Sequence, residues 1–356
     1  MTQFIECTGN LLEAEADALV NTVNVVGVMG KGIALQFKNA YPANFMAYAK
    51  AYKTGEVKLG KMFLFNDSYL TDPRLIINFR TKGHWRNGSK LANVANGLDD
   101  LRQVIIEHRL KTVALPPLGC GNGGLAWNVV RAVIETKLAD LDTRILLYLP
   151  VGAPAATAMP VATERPALTP IRAAVIALID RYSPLALGAS LIEIQKLVYF
   201  LQEAGEDLEM EFVQHHCGPY ADSLRHVLKS MEGHYITGFG DGSKPVQEAE
   251  LIELLPGAAH QGSIAFSQQS GADDKLNRVL ALIDGFESPY CLELLASVHW
   301  VATTGDDRLA NDPSEVTRLL HDWSRRKRRM FAADHVALAL NRLHSQQWLD
   351  RSLVNV

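Results

Sequence analysis

Asp17-Ala18-Leu19-Val20-Asn21-Thr22-Val23-Asn24-Val25-Val26-Gly27-Val28-Met29-Gly30-Lys31-Gly32-Ile33-Ala34-Leu35 reads as an apolar strand that empties into glycines and re-emerges as a helix. A second stretch repeats the pattern: Pro116-Pro117-Leu118-Gly119-Cys120-Gly121-Asn122-Gly123-Gly124-Leu125, again between an apolar strand and a helix. Glycines let backbone approach a ligand closely and take positive φ. The free N–H groups at the start of the following helix favour an anion. Two such loops at two strand ends face each other across one crevice, with room for one phosphate group per loop. Neither loop is a P-loop (GxxxxGK[ST]) or the GxGxxG dinucleotide fingerprint. By itself, the first loop reads equally well as a structural strand-to-helix turn.

Working outward, Ala18–Val23, Arg74–Phe79, Thr112–Leu115 and Arg144–Leu149 read as strands, being short, apolar and β-branched or leucine-rich. Helical patterns lie between them at Gly32–Asn39, Leu91–His108 and Trp127–Leu138. This alternation predicts an α/β fold, a mixed and largely parallel sheet with helices on both faces. Ligands bind such sheets beyond the carboxyl ends of the strands. Residues 151–170, rich in Ala, Pro and Thr, read as a linker. The expected division is 1–152, a linker at 153–169, and a second domain at 170–356. That second domain is helical or α+β, with helices expected at Ile171–Arg181, Ile192–Ala204, Ala221–Met231, Lys275–Gly285, Pro289–Thr303, Pro313–Arg326 and Ala332–Gln346. The stretch at about 233–270 reads as irregular or strand-like.

The chain has 356 residues, 48% of them hydrophobic, enough for two cores. No run approaches the ~20 apolar residues of a membrane span, and no secretion signal opens the chain, so the expectation is cytoplasmic. Four cysteines, Cys7, Cys120, Cys217 and Cys291, form no CxxC pair, which predicts neither metal site nor disulfide framework; no cofactor is expected. The net charge of -4 hides an asymmetry. Residues 1–152 carry 17 basic and 13 acidic side chains, and residues 203–315 carry 6 and 20, or -14. An acidic balance usually means a solvated surface.

A third stretch, Asn78-Phe79-Arg80-Thr81-Lys82-Gly83-His84-Trp85-Arg86, follows another apolar strand and gathers a lysine, an imidazole, an indole and two guanidinium groups. A lysine at such a strand end can act as a nucleophile toward an electrophilic carbon. That role requires a partly neutral amine, through burial or neighbouring positive charge, for which Arg80 and Arg86 are candidates. Alternatively, Lys82 stays charged and stabilises a leaving group or a phosphate. Trp85 can stack on a base or cap the core, and His84 can contact substrate or pack.

The paired segments DALVNTVNVVGVMGKGIALQF and PPLGCGNGGL resemble the macrodomain family over about residues 1–150. The resemblance implies a three-layer α/β/α fold and an ADP-ribose site lined by Thr8, Gly9, Asn10, Leu11, Asn24, Gly27, Val28, Met29, Gly30, Lys31, Gly32, Thr81, Pro117, Leu118, Gly119, Cys120, Gly121, Asn122, Gly123 and Gly124. Asn10 stands where the family usually has an aspartate that accepts from the adenine amino group. Within the family, the Lys82 stretch is similar to the DNA ADP-ribosyl glycohydrolase antitoxins of the DarG type, and these to the human terminal ADP-ribose glycohydrolase. This implies Lys82 as the key catalytic residue, Asn24 as a second one that contacts the distal ribose, and His84, Trp85 and Arg86 as DNA contacts. The human relative's catalytic aspartate in the second glycine loop has no counterpart, since the matching position is Gly123. Asn24 also reads as a turn-forming asparagine, Asn21 as structural, and Cys120 as an inert thiol.

In the second half, Ile192–Gln202 and Gly218–Arg225 resemble Panacea/SocA-like antitoxin domains; they also read as a buried amphipathic helix and a turn. The antitoxin resemblance implies a domain that binds and blocks a partner toxin, a DNA-thymidine ADP-ribosyltransferase, while the macrodomain removes ADP-ribose from thymidine in single-stranded DNA. An acidic segment can then occupy the toxin's basic DNA groove as a mimic. The run Arg325–Arg329 departs from that acidity and reads as a solvated helix face. Rival readings are a non-catalytic ADP-ribose reader, a hydrolase of ADP-ribosylated protein, and a relic macrodomain beside a second domain that carries the function.

Overall fold

The structure, a computed structural model, describes residues 1–58, 60–66, 75–83, 88–155, 158–186, 188–240, 242, 250–304 and 312–349. The chain divides into two compact units, Met1–Glu164 and Arg165–Val356.

The first unit contains a six-stranded sheet. In chain order it comprises β1 (Gln3–Cys7), a 3-10 turn (Leu11–Glu13), β2 (Ala18–Asn24), α1 (Gly32–Ala40), α2 (Pro42–Lys53), β3 (Phe63–Asn66), β4 (Leu75–Lys82), α3 (Leu91–Glu107), β5 (Thr112–Leu115), α4 (Trp127–Leu138) and β6 (Arg144–Tyr148). The strand order is β1-β6-β5-β2-β4-β3, parallel except for the antiparallel edge strand β3. The period of two along each strand sorts side chains between the faces. Ala18 and Val20 of β2, Ile77 and Phe79 of β4, and Val113 and Leu115 of β5 join one core, completed by Val94, Leu98 and Leu101 of α3 and Val130 and Ile134 of α4. Their neighbours Leu19, Ile76 and Ala114 face the opposite side, against Phe37 of α1. The helix α3 lies close enough to the sheet that a Cβ on Gly97 would sit 2.4 Å from Phe79 Cζ.

One polar group interrupts this second face. Asn21 and Asn78, partners in the β2–β4 ladder, are both fully buried. Asn21 Nδ2 donates to Asn78 Oδ1 at 2.9 Å, and Asn78 Nδ2 donates to Asn44 Oδ1 of α2 at 2.7 Å. Asn21 thus works inside the sheet, as its structural reading anticipates.

The second unit is mainly helical: α5 (Pro170–Tyr182), α6 (Leu191–Glu203), the hairpin β7 (Val213–His215) and β8 (Gly218–Tyr220), α7 (Asp222–Met231), the short strands β9 (Ile236–Thr237) and β10 (Glu253–Leu254), α8 (Ala258–Ser267), α9 (Ala272–Ile283), α10 (Pro289–Thr304), α11 (Pro313–Trp323), α12 (Arg325–Met330) and α13 (Ala333–Ser345). Three expectations need correction. The stretch expected to be irregular or strand-like contains α8, whose Ala, Gly and Ser residues give little amphipathic signal. Its small face is what packing requires, since a Cβ on Gly262 would lie 2.2 Å from Ile176 Cγ2 of α5. The helix expected over Pro313–Arg326 breaks at Ser324, which is extended (φ -164, ψ 154) and caps α12 by accepting from Lys327 N at 3.1 Å.

The basic run is the third correction, because it is not a solvated face throughout. Lys327 is fully buried, donating to Glu293 Oε1 at 3.1 Å and Ser297 Oγ at 2.9 Å. Arg326 donates to the same carboxylate at 2.9 Å. Glu293, itself buried on α10, provides the counter-charge that makes burial of a lysine tolerable. Burial pushes the Glu293 carboxyl up, but Arg326 and Lys327 outweigh it and hold the group below its ordinary value. Among the described residues, no helix is long and apolar enough to cross a membrane.

Candidate active site

Three chain segments meet at the carboxyl ends of β2 and β4. The ladder between these strands shifts register between Val23 and Asn24, which brings Asn24 opposite Lys82. Val25 N then donates to Lys82 O at 3.1 Å, so the first glycine loop departs directly beside the lysine. The second loop closes the group: Lys82 Nζ donates to the backbone oxygen of Asn122. The Asn122 amide in turn lies against the start of α1, its Nδ2 3.3 Å from where a Cβ on Gly32 would stand. Lys82, Asn122 and the Asn24–Gly32 loop, three segments widely separated in sequence, are therefore neighbours.

Lys82 is half-buried. Burial lowers its pKa from the ordinary lysine value, and the nearby charge of Lys31 lowers it further. Loss of hydration disfavours an ammonium, as does a second cation. The expected source of that charge is thus corrected in part. Arg80 is not the neighbour that acts on the lysine; its guanidinium turns inward, 1% exposed, and donates to Lys58 O.

The Asn24 side chain shapes its own loop. Its Oδ1 accepts from Val26 N at 3.0 Å, and its Nδ2 donates to Val28 O at 2.6 Å. Gly27 sits at the crown with φ +72. Met29 turns into the core beside Val23, Ala34 and Tyr48. Leu11 and Leu118 are buried likewise, so these three positions offer a ligand backbone rather than side chain. Thr81 is buried too, while Val28 and Lys31 stay partly open.

The second loop folds on itself through Leu125 N to Gly119 O, 3.0 Å, and is tied to the start of α3 by Ser89 N to Gly123 O, 2.9 Å. Gly123 occupies a cradle with no space for a side chain: a Cβ would stand 2.2 Å from Gly119 O and 2.4 Å from Ser89 Oγ. A carboxylate cannot grow from this position in this backbone. Pro117 and Cys120 are partly exposed and Gly121, Asn122 and Gly124 open. Burial raises the Cys120 thiol pKa, which keeps it protonated.

The opening segment lies at the end of β1, one sheet edge away. Gly9 N donates to Gly152 O at 3.0 Å beside Thr8. Asn10 caps the 3-10 turn by accepting from Leu12 N at 3.0 Å, and its Nδ2 donates to Glu13 Oε1 at 2.9 Å. His84, Trp85 and Arg86 lie outside the described residues. Sequence reasoning missed Tyr48 and Tyr52 of α2 beneath the first loop. Their i, i+4 spacing in Tyr48-Ala49-Lys50-Ala51-Tyr52 was the available signal.

Residues 20–134 match the Macro domain family. The first unit is a macrodomain, with two glycine loops and a lysine gathered at its strand ends. Over its length the chain is 43% identical to a DNA ADP-ribosyl glycohydrolase of Thermus aquaticus, spanning 99% of this chain and 97% of that protein. A protein of the same description from Mycobacterium tuberculosis is 42% identical, over 94% of this chain and 97% of its own. A DNA ADP-ribosyl transferase-DNA ADP-ribosyl glycohydrolase fusion protein of Thermosipho africanus is 30% identical, over 40% of this chain and 41% of the fusion. The chain belongs to the family of DNA ADP-ribosyl glycohydrolases.

Proposed function

We propose that this chain is an antitoxin whose macrodomain hydrolyses ADP-ribose from thymidine in single-stranded DNA, and whose second unit binds and inhibits the DNA ADP-ribosyltransferase that attaches it. The observation that carries the hydrolase reading is the placement of Lys82: half-buried, hydrogen-bonded to one glycine loop and laddered to the other. In the reaction, the bond between the ribose anomeric carbon and the thymine nitrogen breaks. Its electron pair and a proton go to thymine, and water supplies the new hydroxyl. A lysine whose pKa is lowered by burial has a neutral fraction able to attack that carbon as thymine leaves, giving an adduct that loses its extra proton; water then attacks the same carbon, the lysyl carbon–nitrogen bond breaks, and its electron pair with a proton from the water returns to the Lys82 amine. With Gly123 unable to carry a carboxylate, Lys82 works without an acidic partner in the second loop. The backbone N–H groups of the two loops suit the pyrophosphate, and Asn24 holds its loop in shape beside the ribose.

The family's fusion of a transferase with a glycohydrolase supports the antitoxin reading, because it couples the modifying and the reversing activities in one chain. The acidic residues 203–315 supply the charge complementary to a DNA-binding groove. Wild-type protein and its Lys82→Ala variant, incubated with a thymidine-ADP-ribosylated oligonucleotide, test the first half. Release of ADP-ribose by the wild type only is the expected result. Binding of ADP-ribose with no release by the wild type overturns the hydrolase and leaves a reader. For the second half, affinity of the full chain for the transferase should fall steeply with ionic strength; salt-insensitive binding overturns mimicry.

A further inference from the structure

The first glycine loop rests on α2, and the contacts are specific. Tyr48 is fully buried, and its hydroxyl donates to Asn24 O at 2.5 Å. Its ring stands edge-on to Phe63 of β3, with centroids 5.5 Å apart at 73°. Behind it, the Arg80 guanidinium is near enough for its charge to act on the Tyr48 hydroxyl; it donates to the Lys58 carbonyl, and its Nε has no partner. A guanidinium 1% exposed and held by a neutral carbonyl is costly, so its place invites a reason. One turn along α2, Tyr52 supports the crown of the loop: a Cβ on Gly27 would lie 2.9 Å from Tyr52 Cδ1. The loop between these supports is stiffened by Asn24 and tied to Lys82 through Val25 N.

We propose that Tyr48, assisted by Tyr52, is a positioning residue for the glycohydrolase reaction: it sets the height of the first glycine loop, and so the place of Asn24 relative to Lys82. Tyr48 touches no reacting atom. The inference rests on the ADP-ribose reading of the loop.

The test uses the full chain. Tyr48→Phe keeps the ring and its contact with Phe63 and removes the hydroxyl alone. ADP-ribose affinity, measured by calorimetry, should weaken roughly 10-fold, as loss of one hydrogen bond with an unsatisfied partner implies. Turnover of the oligonucleotide at saturation should fall by a similar factor, with the melting temperature nearly kept. Tyr52→Ser should weaken ADP-ribose binding with the fold intact, since position 52 is 43% exposed. Wild-type affinity and turnover in Tyr48→Phe would overturn the proposal. So would Tyr52→Ser binding unimpaired, and that arm holds even if Tyr48→Phe fails to fold. The calorimetric arm needs no turnover, so a wild-type protein that binds ADP-ribose but releases none refutes the hydrolase reading while the brace is still judged.

Discussion

An aspartate placed at position 123 would seem to restore the acid that the second loop lacks; the structure predicts that it destroys the loop instead. The decisive atom is Cβ, not the carboxylate. It would stand 2.2 Å from Gly119 O and 2.4 Å from Ser89 Oγ, so backbone must move by about 1 Å to reach an ordinary contact. Of the flanking hydrogen bonds, Leu125 N to Gly119 O sits on an atom that must move, and Ser89 N to Gly123 O joins the two residues that must part. Their loss costs about 0.5–1.5 kcal/mol each, and the overpacking about 1–3 kcal/mol. The sum is roughly 2–6 kcal/mol against the native loop, and at 1.4 kcal/mol per decade even the lower bound weakens ADP-ribose binding about 30-fold. Gly123→Ala, carrying the Cβ without the charge, should suffer equally. Calorimetric titration of both variants with ADP-ribose, beside turnover of the modified oligonucleotide, is the assay. A Gly123→Asp variant that binds as tightly as wild type and releases ADP-ribose as fast or faster refutes the reasoning.

Lys31→Met removes the second cause of the lowered Lys82 pKa and leaves the first, burial. If the neutral amine is active, the rate climbs with pH as Lys82 deprotonates, so the variant's limb should lie at higher pH: slower than wild type near neutrality, catching up in alkali. A limb moved to lower pH, or unmoved, argues against a neutral amine governed by that charge. In the second unit, Glu293→Gln strands Lys327 without a counter-charge; breaking such a buried pair costs about 3–5 kcal/mol, readable as a fall in the urea midpoint. Because the Glu293 carboxyl is held below its ordinary value, its contribution in the wild type is complete above the unfolded-state value and is lost as pH falls through the folded one. A Glu293→Gln protein with an unchanged midpoint would show the cluster to be dispensable.

The four strands β2, β4, β5 and β6 were legible because strand and helix periods alternate there, and the loops because their glycines follow apolar runs; the edge strands β1 and β3, both largely exposed or half-exposed, were not read. What escaped was set by distance in the chain. Nothing local in Arg80 says that it turns toward Lys58 rather than Lys82; a carbonyl more than twenty residues away accepts from it. Nothing in Arg325–Arg329 announces that its middle member is buried on a carboxylate more than thirty residues away. The helix α8 hid because its small residues, required by Ile176, carry no amphipathic stripe. The opposition of Asn24 and Lys82 comes from an irregular step in a ladder, which no pattern within either segment foretells.

The buried Asn21–Asn78 pair acts as a gauge for that ladder. Apolar neighbours on adjacent strands tolerate more than one alignment, whereas an amide in a dry interior tolerates the one that supplies its partner. A slip of β4 by one residue would carry every side chain on it to the wrong face and displace Lys82 about 3.3 Å along the strand. Two asparagines buried within the sheet thereby specify, during folding, which alignment of the strands sets Lys82 opposite Asn24.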